Sequence, residues 1–299
     1  MINETILFKI IYVRIGDIVY KVLYNKKISS NSYEMLVEAP LVVKRALPGQ
    51  FVIVMAKEDS ERIPLTIYDY NQEKGQLCLI YQVVGASTEE LSTMQDELFG
   101  VVGPLGNPNE ICLHPEEFRN RRICYVAGGV GIAPVYPQVK YLHDHGFDID
   151  VIYGSRSADL LLIRDKIEKV TRKIRYATDD GSFGTKGFVT TLLEKQMNDY
   201  DLVVTIGPVI MMKNVCDLTK KYNVQTIVSM NPLMVDGSGM CGACRCEIDG
   251  KPKFACIHGP EFDGHKVNFD LALKRMNVYK EEEKEKWEQM KAELSKSGN

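Results

Sequence analysis

One glycine-rich stretch of the sequence carries the residues best suited to bind a metal. DGSGMCGAC (236–244) ends in Cys241 and Cys244, and Cys256 follows twelve residues after the second of these. Asp236 stands five residues before Cys241, where its carboxylate could be a fourth ligand or the start of an ordinary turn. Cysteines clustered this closely in a chain of this size favour a metal over disulfides. The sequence therefore predicts a metal centre in this loop.

Zinc and a 2Fe–2S cluster are the two alternatives for this centre. Zinc accepts three cysteines with one oxygen or nitrogen ligand, but zinc ribbons usually bring their ligands as two close pairs. Here one long loop supplies three positions and Cys256 comes singly, which favours an iron–sulfur cluster whose sulfides accept backbone N–H groups. His258 and His265 are weaker rivals for the fourth position. Close backbone approach is permitted by three glycines, Gly237, Gly239 and Gly242.

The composition excludes several function classes. The chain has 299 residues, 45% hydrophobic and 26% charged, with a net charge of −3. This charge gives no electrostatic reason to expect nucleic acid as a partner. No apolar run approaches the roughly 20 residues of a membrane span, and the N-terminus lacks the features of a signal peptide. We expect a cytoplasmic protein with two domains and a small third module.

The elements around the loop fall into consecutive segments with different patterns. Short apolar or alternating runs in 20–115 predict an antiparallel barrel or sandwich. Strands alternating with helices in 116–229 predict parallel βαβ units. The cysteine loop occupies a module at 230–277, and 278–299 is predicted to be a charged helix with a solvated face or a docking role. Residues 1–19 form an extension of no assigned purpose.

A second site is predicted in the α/β segment. AGGVGIAP (127–134) places glycines between a strand and a helix, where the backbone can approach a diphosphate and the helix N-terminus favours an anion. It differs from the G-x-G-x-x-G fingerprint. Ligands of open α/β sheets bind at the carboxyl ends of strands. The candidate residues of this site are Gly128, Gly129, Gly131, Ala133, Pro134, Gly154, Ser155, Arg156, Thr178, Asp179, Asp180, Gly181, Gly207 and Pro208.

The residues leave the choice between NAD and NADP open. Arg156 and Arg164 could hold a 2′-phosphate, whereas Asp179 and Asp180 would repel one if they lay near it.

A helix is also predicted directly after the second strand of this segment, over ADLLLIRDKIEKVTR (158–172).

RIPLT (62–66) and YQVVGAST (81–88), together with GPLGNP and GGVGIAP, resemble the ferredoxin-reductase superfamily. That family combines a flavin-binding antiparallel barrel with a nicotinamide-binding α/β domain. Arg62 stands one position further from Thr66 than in the general motif, as in the electron-transfer subunits of dihydroorotate dehydrogenase. The resemblance implies FAD contacts from Arg62, Pro64, Leu65, Thr66, Ile80, Tyr81, Gln82, Gly85, Ser87 and Thr88.

The cysteine loop carries the same resemblance further. Those subunits have Cys-Gly-x-Gly-x-Cys-x-x-Cys and a later fourth cysteine, and this chain matches every fixed position except the first, Asp236. An aspartate there, with HGPEFDGHKV (258–267), is similar to the small subunits of NADH-dependent reduced ferredoxin:NADP⁺ oxidoreductases. In that family three cysteines and one aspartate hold the cluster. The resemblance implies that Asp236, Cys241, Cys244 and Cys256 hold a 2Fe–2S cluster, while Cys246 is structural.

The resemblance implies an electron-transfer flavoprotein subunit that moves electrons between NAD(H), FAD and the cluster. Flavin is the needed converter, because nicotinamide moves two electrons and the cluster moves one. The implied partner is a larger flavin and 4Fe–4S subunit that binds NADP(H), reaches ferredoxin and carries out electron bifurcation. One alternative is the electron-transfer subunit of NAD-dependent dihydroorotate dehydrogenase, against which Asp236 argues. The other is a zinc-stabilised flavin-binding module that senses redox state.

Overall fold

The first domain is a nearly closed antiparallel barrel of seven strands. The computed structural model describes residues 19–297, so the predicted extension at 1–19 lies outside the described residues except for its last position. Alternating side chains such as Val52, Val54, Leu77 and Leu79 fill the barrel interior. The strands are Tyr20–Lys27 (β1), Ser32–Glu38 (β2), Phe51–Met55 (β3), Ile63–Asn71 (β4), Gln76–Gln82 (β5), Glu97–Leu98 (β6) and Gly100–Leu105 (β7).

Neighbouring barrel strands follow the order β6-β1-β2-β5-β4-β3-β7. Strand β4 lies between β5 and β3, with Thr66 opposite Phe51 on β3. This pairing places the RIPLT segment at the edge of the barrel where the helix after β5 begins. The helices of this domain are Pro40–Val43 (α1), Ala86–Thr93 (α2), Glu110–Leu113 (α3) and Pro115–Phe118 (α4).

The second domain is built on a largely parallel sheet. Its strands are Ile123–Gly128 (β8), Asp150–Ser155 (β9), Lys173–Thr178 (β10), Thr185–Lys186 (β11), Leu202–Ile206 (β12) and Gln225–Ser229 (β13). Every residue of β8 is buried, as expected for a strand covered on both faces. The helices are Ile132–Asp144 (α5), Arg164–Ile167 (α6), Val189–Glu194 (α7) and Val209–Lys221 (α8). Helix α5 also packs against β4 of the barrel, where the rings of Tyr136 and Tyr68 lie 5.1 Å apart.

The helix predicted over 158–172 is wrong. The structure has a 3₁₀ turn at Ala158–Leu160 and only the single turn α6, with Ile163 between them at φ +49°. The buried hydroxyl of Tyr153 accepts the N–H of Leu162 at 2.9 Å, so this backbone group finds its partner outside a helix. Leu161 and Leu162 are buried in the core instead of forming one face of a helix.

The third module is joined to the second sheet. A hairpin of Arg245–Ile248 (β14) and Lys251–Phe254 (β15) is followed by Ala255–His258 (α9), and Glu261–Asp263 (β16) then pairs antiparallel with β13. Helix Phe269–Met276 (α10) packs against α8. Helix Lys280–Ser297 (α11) returns to the barrel, where Lys286 Nζ lies 2.5 Å from Glu61 Oε1. Within residues 19–297, no helix has the length and apolar character needed to cross a membrane.

Candidate functional site

A cavity of about 990 Å³ lies between the barrel and the parallel sheet. Most of the predicted cofactor contacts line it. From the barrel these are Pro64, Leu65, Thr66, Ile80, Tyr81, Gln82 and Thr88. From the second domain they are Gly128, Gly129, Gly131, Ala133, Pro134, Gly154, Ser155, Arg156, Asp179, Gly207 and Pro208. The folding of the chain thus brings two predicted sites, separated by about 40 residues in sequence, into one crevice.

The barrel wall of the cavity offers a surface suited to a flavin. Strand β4 contributes Pro64 to Thr66, and the N-terminus of α2 lies close by. The hydroxyl of Thr88 accepts the N–H groups of Val84 at 3.0 Å and Gly85 at 3.2 Å, which fixes the start of this helix. A helix N-terminus favours an anion such as the flavin diphosphate. The predicted contact Gly85 therefore belongs to the turn that shapes the wall.

The opposite wall depends on glycine at the strand ends. A Cβ placed on Gly131 would lie 2.3 Å from the carbonyl oxygen of Ile206, which is a backbone atom at the end of β12. Gly129 has φ +55° but open space around it. Gly131 is therefore required because the turn after β8 approaches the end of β12 closely. Gly129 instead allows the positive φ of this turn. Together they leave the N-terminus of α5 facing the crevice.

Six of the predicted contacts are absent from the cavity lining. Thr178 donates its hydroxyl to the Phe183 carbonyl at 2.8 Å, and Asp180 accepts the N–H of Ser182 at 2.9 Å. The Ser182 hydrogen bonds lower the pKa of Asp180. Gly181, at φ +81°, completes this turn. The remaining three are at the barrel: Arg62, Gly85 and Ser87, of which Ser87 donates its hydroxyl to Glu61.

The ends of β9 and β10 carry the charged side chains considered for the choice between NAD and NADP. Asp179 lines the cavity, where its carboxylate would repel a 2′-phosphate. The Arg164 guanidinium lies 3.9 Å from the ring centroid of Phe183, so this cation is engaged by an aromatic face. Arg156 remains in the cavity. The cavity lining therefore holds one acidic and one basic candidate side chain.

Three exposed apolar side chains of the cavity were not predicted from the sequence. Phe188 is 68% exposed, Val84 65% and Ile210 52%, although each lines the crevice. Phe188 follows Gly187, whose φ of +120° turns the chain toward α7. An aromatic side chain with this exposure, in a cavity that Arg156 and Asp179 also line, gives a flat apolar surface for a base or ring. The only sequence signal was an aromatic residue directly after a glycine near a strand end.

The structure brings two of the four predicted cluster ligands, Cys244 and Cys256, together. Cys244 and Cys256 are buried with their Sγ atoms 3.1 Å apart, and Cys241 is exposed at the surface of the loop. Burial and the neighbouring thiol raise the pKa of Cys256 to about 12, so a bound cation would be needed to hold Cys256 as a thiolate at neutral pH. Asp236 accepts the N–H of Ser238 at 3.0 Å through one oxygen, Oδ2.

The residues present fit a 2Fe–2S cluster. The loop turns at Gly237 and Gly239 with φ +79° and +87°, and a Cβ on Gly237 would lie 2.7 Å from Leu105 Cδ1 of the barrel. Glycine thus lets the loop pack directly on the flavin-binding domain. Both histidine rivals are engaged elsewhere. His258 Nδ1 accepts the Phe254 N–H at 3.0 Å, and His265 Nε2 lies 3.0 Å from Thr219 Oγ1.

A carboxyl group joins the three parts of the molecule. Glu261, on β16, accepts the Asn109 side-chain N–H at 2.8 Å and the Gln138 side-chain N–H at 2.9 Å. Asn109 begins α3 at the end of the barrel domain, and Gln138 lies on α5. Both amides are buried, and burial raises the pKa of Glu261 to about 7. This joint holds the cluster module against both of the larger domains.

Two family models match the chain. The iron–sulfur cluster binding domain of dihydroorotate dehydrogenase B matches residues 231–268, and the oxidoreductase NAD-binding domain matches residues 125–217. The matched ranges coincide with the cysteine loop and with the parallel sheet. With the ferredoxin-reductase fold they confirm the predicted set of FAD, 2Fe–2S and NAD(H).

Relatives over most of the chain agree. The chain is 48% identical to a Clostridium beijerinckii protein named for the adh 3′ region, over 88% of this chain and 92% of the relative. It is 42% identical to a dihydroorotate dehydrogenase B (NAD(+)) electron transfer subunit homolog of Thermotoga maritima, over 91% and 96%. A solved structure of NADH-dependent reduced ferredoxin-NADP oxidoreductase is 40% identical with a TM-score of 0.84, over 92% and 99%. The chain belongs to the family of dihydroorotate dehydrogenase B electron transfer subunits and their homologues.

Proposed function

We propose that this chain is the electron-transfer subunit of an NADH-dependent reduced ferredoxin:NADP⁺ oxidoreductase. The observation that carries the proposal is Asp236, which stands at the position of the first cysteine in the loop motif with Cys241 and Cys244, and this loop packs on the flavin-binding barrel. The similarity to the solved oxidoreductase, studied for flavin-based electron bifurcation, supports the same assignment. A bound FAD would supply the conversion between the two electrons of NADH and the single electrons of the cluster.

The chain's own residues position these groups. We assign the barrel wall, including Pro64 to Thr66, to FAD, and the opposite wall, including Gly128 to Gly131, to NADH. Tyr68 and Tyr136 pack the two walls together, so both assigned cofactor sites open into one crevice. The segment from Ser229 to Met234 lines the same cavity and leads directly into Asp236. This segment therefore connects the crevice directly to the loop that carries Asp236.

A larger partner subunit completes the proposed complex. The family of electron transfer subunits supports a partner in general. We propose that this partner carries a flavin and 4Fe–4S clusters, binds NADP(H) and reaches ferredoxin. Met240, next to Cys241, is 89% exposed and offers an apolar contact beside the cluster. None of the eight cysteines, all of which lie among the described residues, forms a disulfide, which supports a reducing compartment such as the cytoplasm.

The alternative is the electron transfer subunit of dihydroorotate dehydrogenase B, the name carried by homologues of this chain. The native complex, isolated without oxygen, distinguishes the two. We expect NADPH oxidation that depends on both NAD⁺ and ferredoxin, and no NAD⁺ reduction by dihydroorotate. Reduction of NAD⁺ by dihydroorotate, with no response to NADPH, would establish the alternative.

A further inference from the structure

Arg62 reaches from the flavin-binding barrel to a predicted cluster ligand. Its Nη1 atom lies 3.7 Å from Oδ1 of Asp236, and the two side chains are 44% and 25% exposed. The other carboxylate oxygen of Asp236 is bound by Ser238. Among the ion pairs of the described residues, this is the one that involves a predicted ligand of the cluster. It also explains why Arg62 is absent from the cavity lining.

The segment that carries Arg62 is anchored on both sides. Glu61 accepts hydrogen bonds from Ser87, at the first turn of α2, and from Lys286 of α11. Ile63 and Pro64, which follow Arg62, line the cavity at the start of β4. Arg62 is therefore held between the cavity assigned to flavin and the loop that carries Asp236. A guanidinium in this position is a fixed charge, because arginine does not lose its proton in proteins.

An aspartate ligand differs from a cysteine ligand because it has a second oxygen that Arg62 can contact. A carboxylate that binds iron through one oxygen keeps a second oxygen as a hydrogen-bond acceptor, whereas a thiolate has a single donor atom. A guanidinium binds such an oxygen through a charge-assisted hydrogen bond. Hydrogen bonds and net charge around an iron–sulfur cluster are among the factors that set its reduction potential.

We propose that Arg62 is a positioning residue for the cluster, which holds the free carboxylate oxygen of Asp236 and raises the reduction potential. This inference rests on the proposed cluster ligands. One electron from reduced flavin enters the cluster while no ligand bond forms or breaks, so the site becomes more negative by one charge. The fixed positive charge of Arg62 attracts the reduced form more strongly than the oxidised form. The arginine thereby favours electron transfer from flavin to the cluster.

The test is a redox titration of the anaerobically purified holoprotein, followed by electron paramagnetic resonance of the reduced cluster. Arg62→Gln should lower the equilibrium constant for cluster reduction at least threefold, about 28 mV at 59 mV per tenfold change for one electron. Arg62→Lys should give a smaller decrease, because it keeps the charge without the planar fork. Arg45→Gln, on an exposed barrel residue, is the matched control and should leave the potential unchanged.

A second variant of position 236 separates the ion pair with the free oxygen of Asp236 from the general effect of the Arg62 charge. In Asp236→Cys the free oxygen is gone, so Arg62→Gln should produce a clearly smaller shift than it does beside Asp236. An unchanged potential in Arg62→Gln, or an equal shift in both backgrounds, would overturn the inference. If Arg62→Gln loses iron while Arg62→Lys keeps it, the positioning role is supported. The reduction potential is then measured in Arg62→Lys instead. Absence of iron from the unmodified protein would instead contradict the proposed ligands themselves.

Discussion

Glu261→Gln should change how the stability of this protein depends on pH. The carboxyl group of Glu261 accepts N–H groups from Asn109 and Gln138 at the joint of the three modules. Burial raises its pKa from 4.5 to about 7. The folded state therefore holds this proton more tightly than the unfolded chain does. Glutamine occupies the same space and has no proton to release.

The size and sign of the effect come from this difference in pKa. Below pH 4.5 the Glu261 carboxyl is protonated in both the folded and the unfolded chain, and its contribution to the free energy of folding is fully present. As pH rises toward about 7 the unfolded chain loses the proton first, so folding stability falls. A rise of about 2.5 pKa units corresponds to a loss of about 3 kcal/mol at alkaline pH. Between about pH 5.5 and about pH 8.5 the same linkage gives a loss of about 2 kcal/mol.

The assay compares urea unfolding of the wild-type and Glu261→Gln holoproteins at these two pH values. The variant should gain about 2 kcal/mol relative to wild type between the lower and the higher pH. Any effect of the glutamine amide on the free energy of unfolding that does not depend on pH cancels when the two pH values are compared. Glu117→Gln replaces an exposed carboxylate on α4 and should show no such gain. An equal difference between Glu261→Gln and wild type at both pH values would refute the reasoning.

Three further predictions concern the sites themselves. Gly131→Ala should abolish flavin reduction by NADH, because its Cβ meets the Ile206 carbonyl, whereas Gly129→Ala should keep activity with a stability loss of about 1–2 kcal/mol from its positive φ. Anaerobic NADH titration and thermal unfolding check this pair. Phe188→Ala should weaken NADH binding about three- to tenfold through loss of a stacking surface, without changing the Kd for nicotinamide mononucleotide; equal weakening of both would contradict it. Cys241→Ser should remove most of the iron while FAD stays bound, and full iron retention would exclude Cys241 as a ligand.

Local patterns predicted the elements that carry the site. The apolar runs of β3, β5, β8 and β12 were readable because buried strands need little more than apolar side chains bounded by turns. The glycines of AGGVGIAP and of the cysteine loop were informative because close backbone approach excludes other residues at positions such as Gly131. The helix expected over 158–172 failed where Tyr153 supplied hydrogen bonds that compete with a helix.

Long-range pairings could not be predicted in the same way. Arg62 and Asp236 are separated by 174 positions, and nothing local in either segment indicates their contact. Glu261 was unremarked in the sequence because its properties come from Asn109 and Gln138 of two other modules. Phe188 resembles an ordinary core residue until the fold leaves it exposed in the crevice. Such contacts depend on how the modules pack, which is specified by many residues together.

The central claim is that electrons pass from NADH through flavin to a cluster held by Asp236 and three cysteines. The most direct measurement is iron, acid-labile sulfide, zinc and FAD per chain in anaerobically purified protein, with visible spectra before and after NADH. We predict two irons, two sulfides and one FAD, with bleaching of both chromophores by NADH. Zinc in place of iron, with a flavin that does not respond to NADH, would contradict the account.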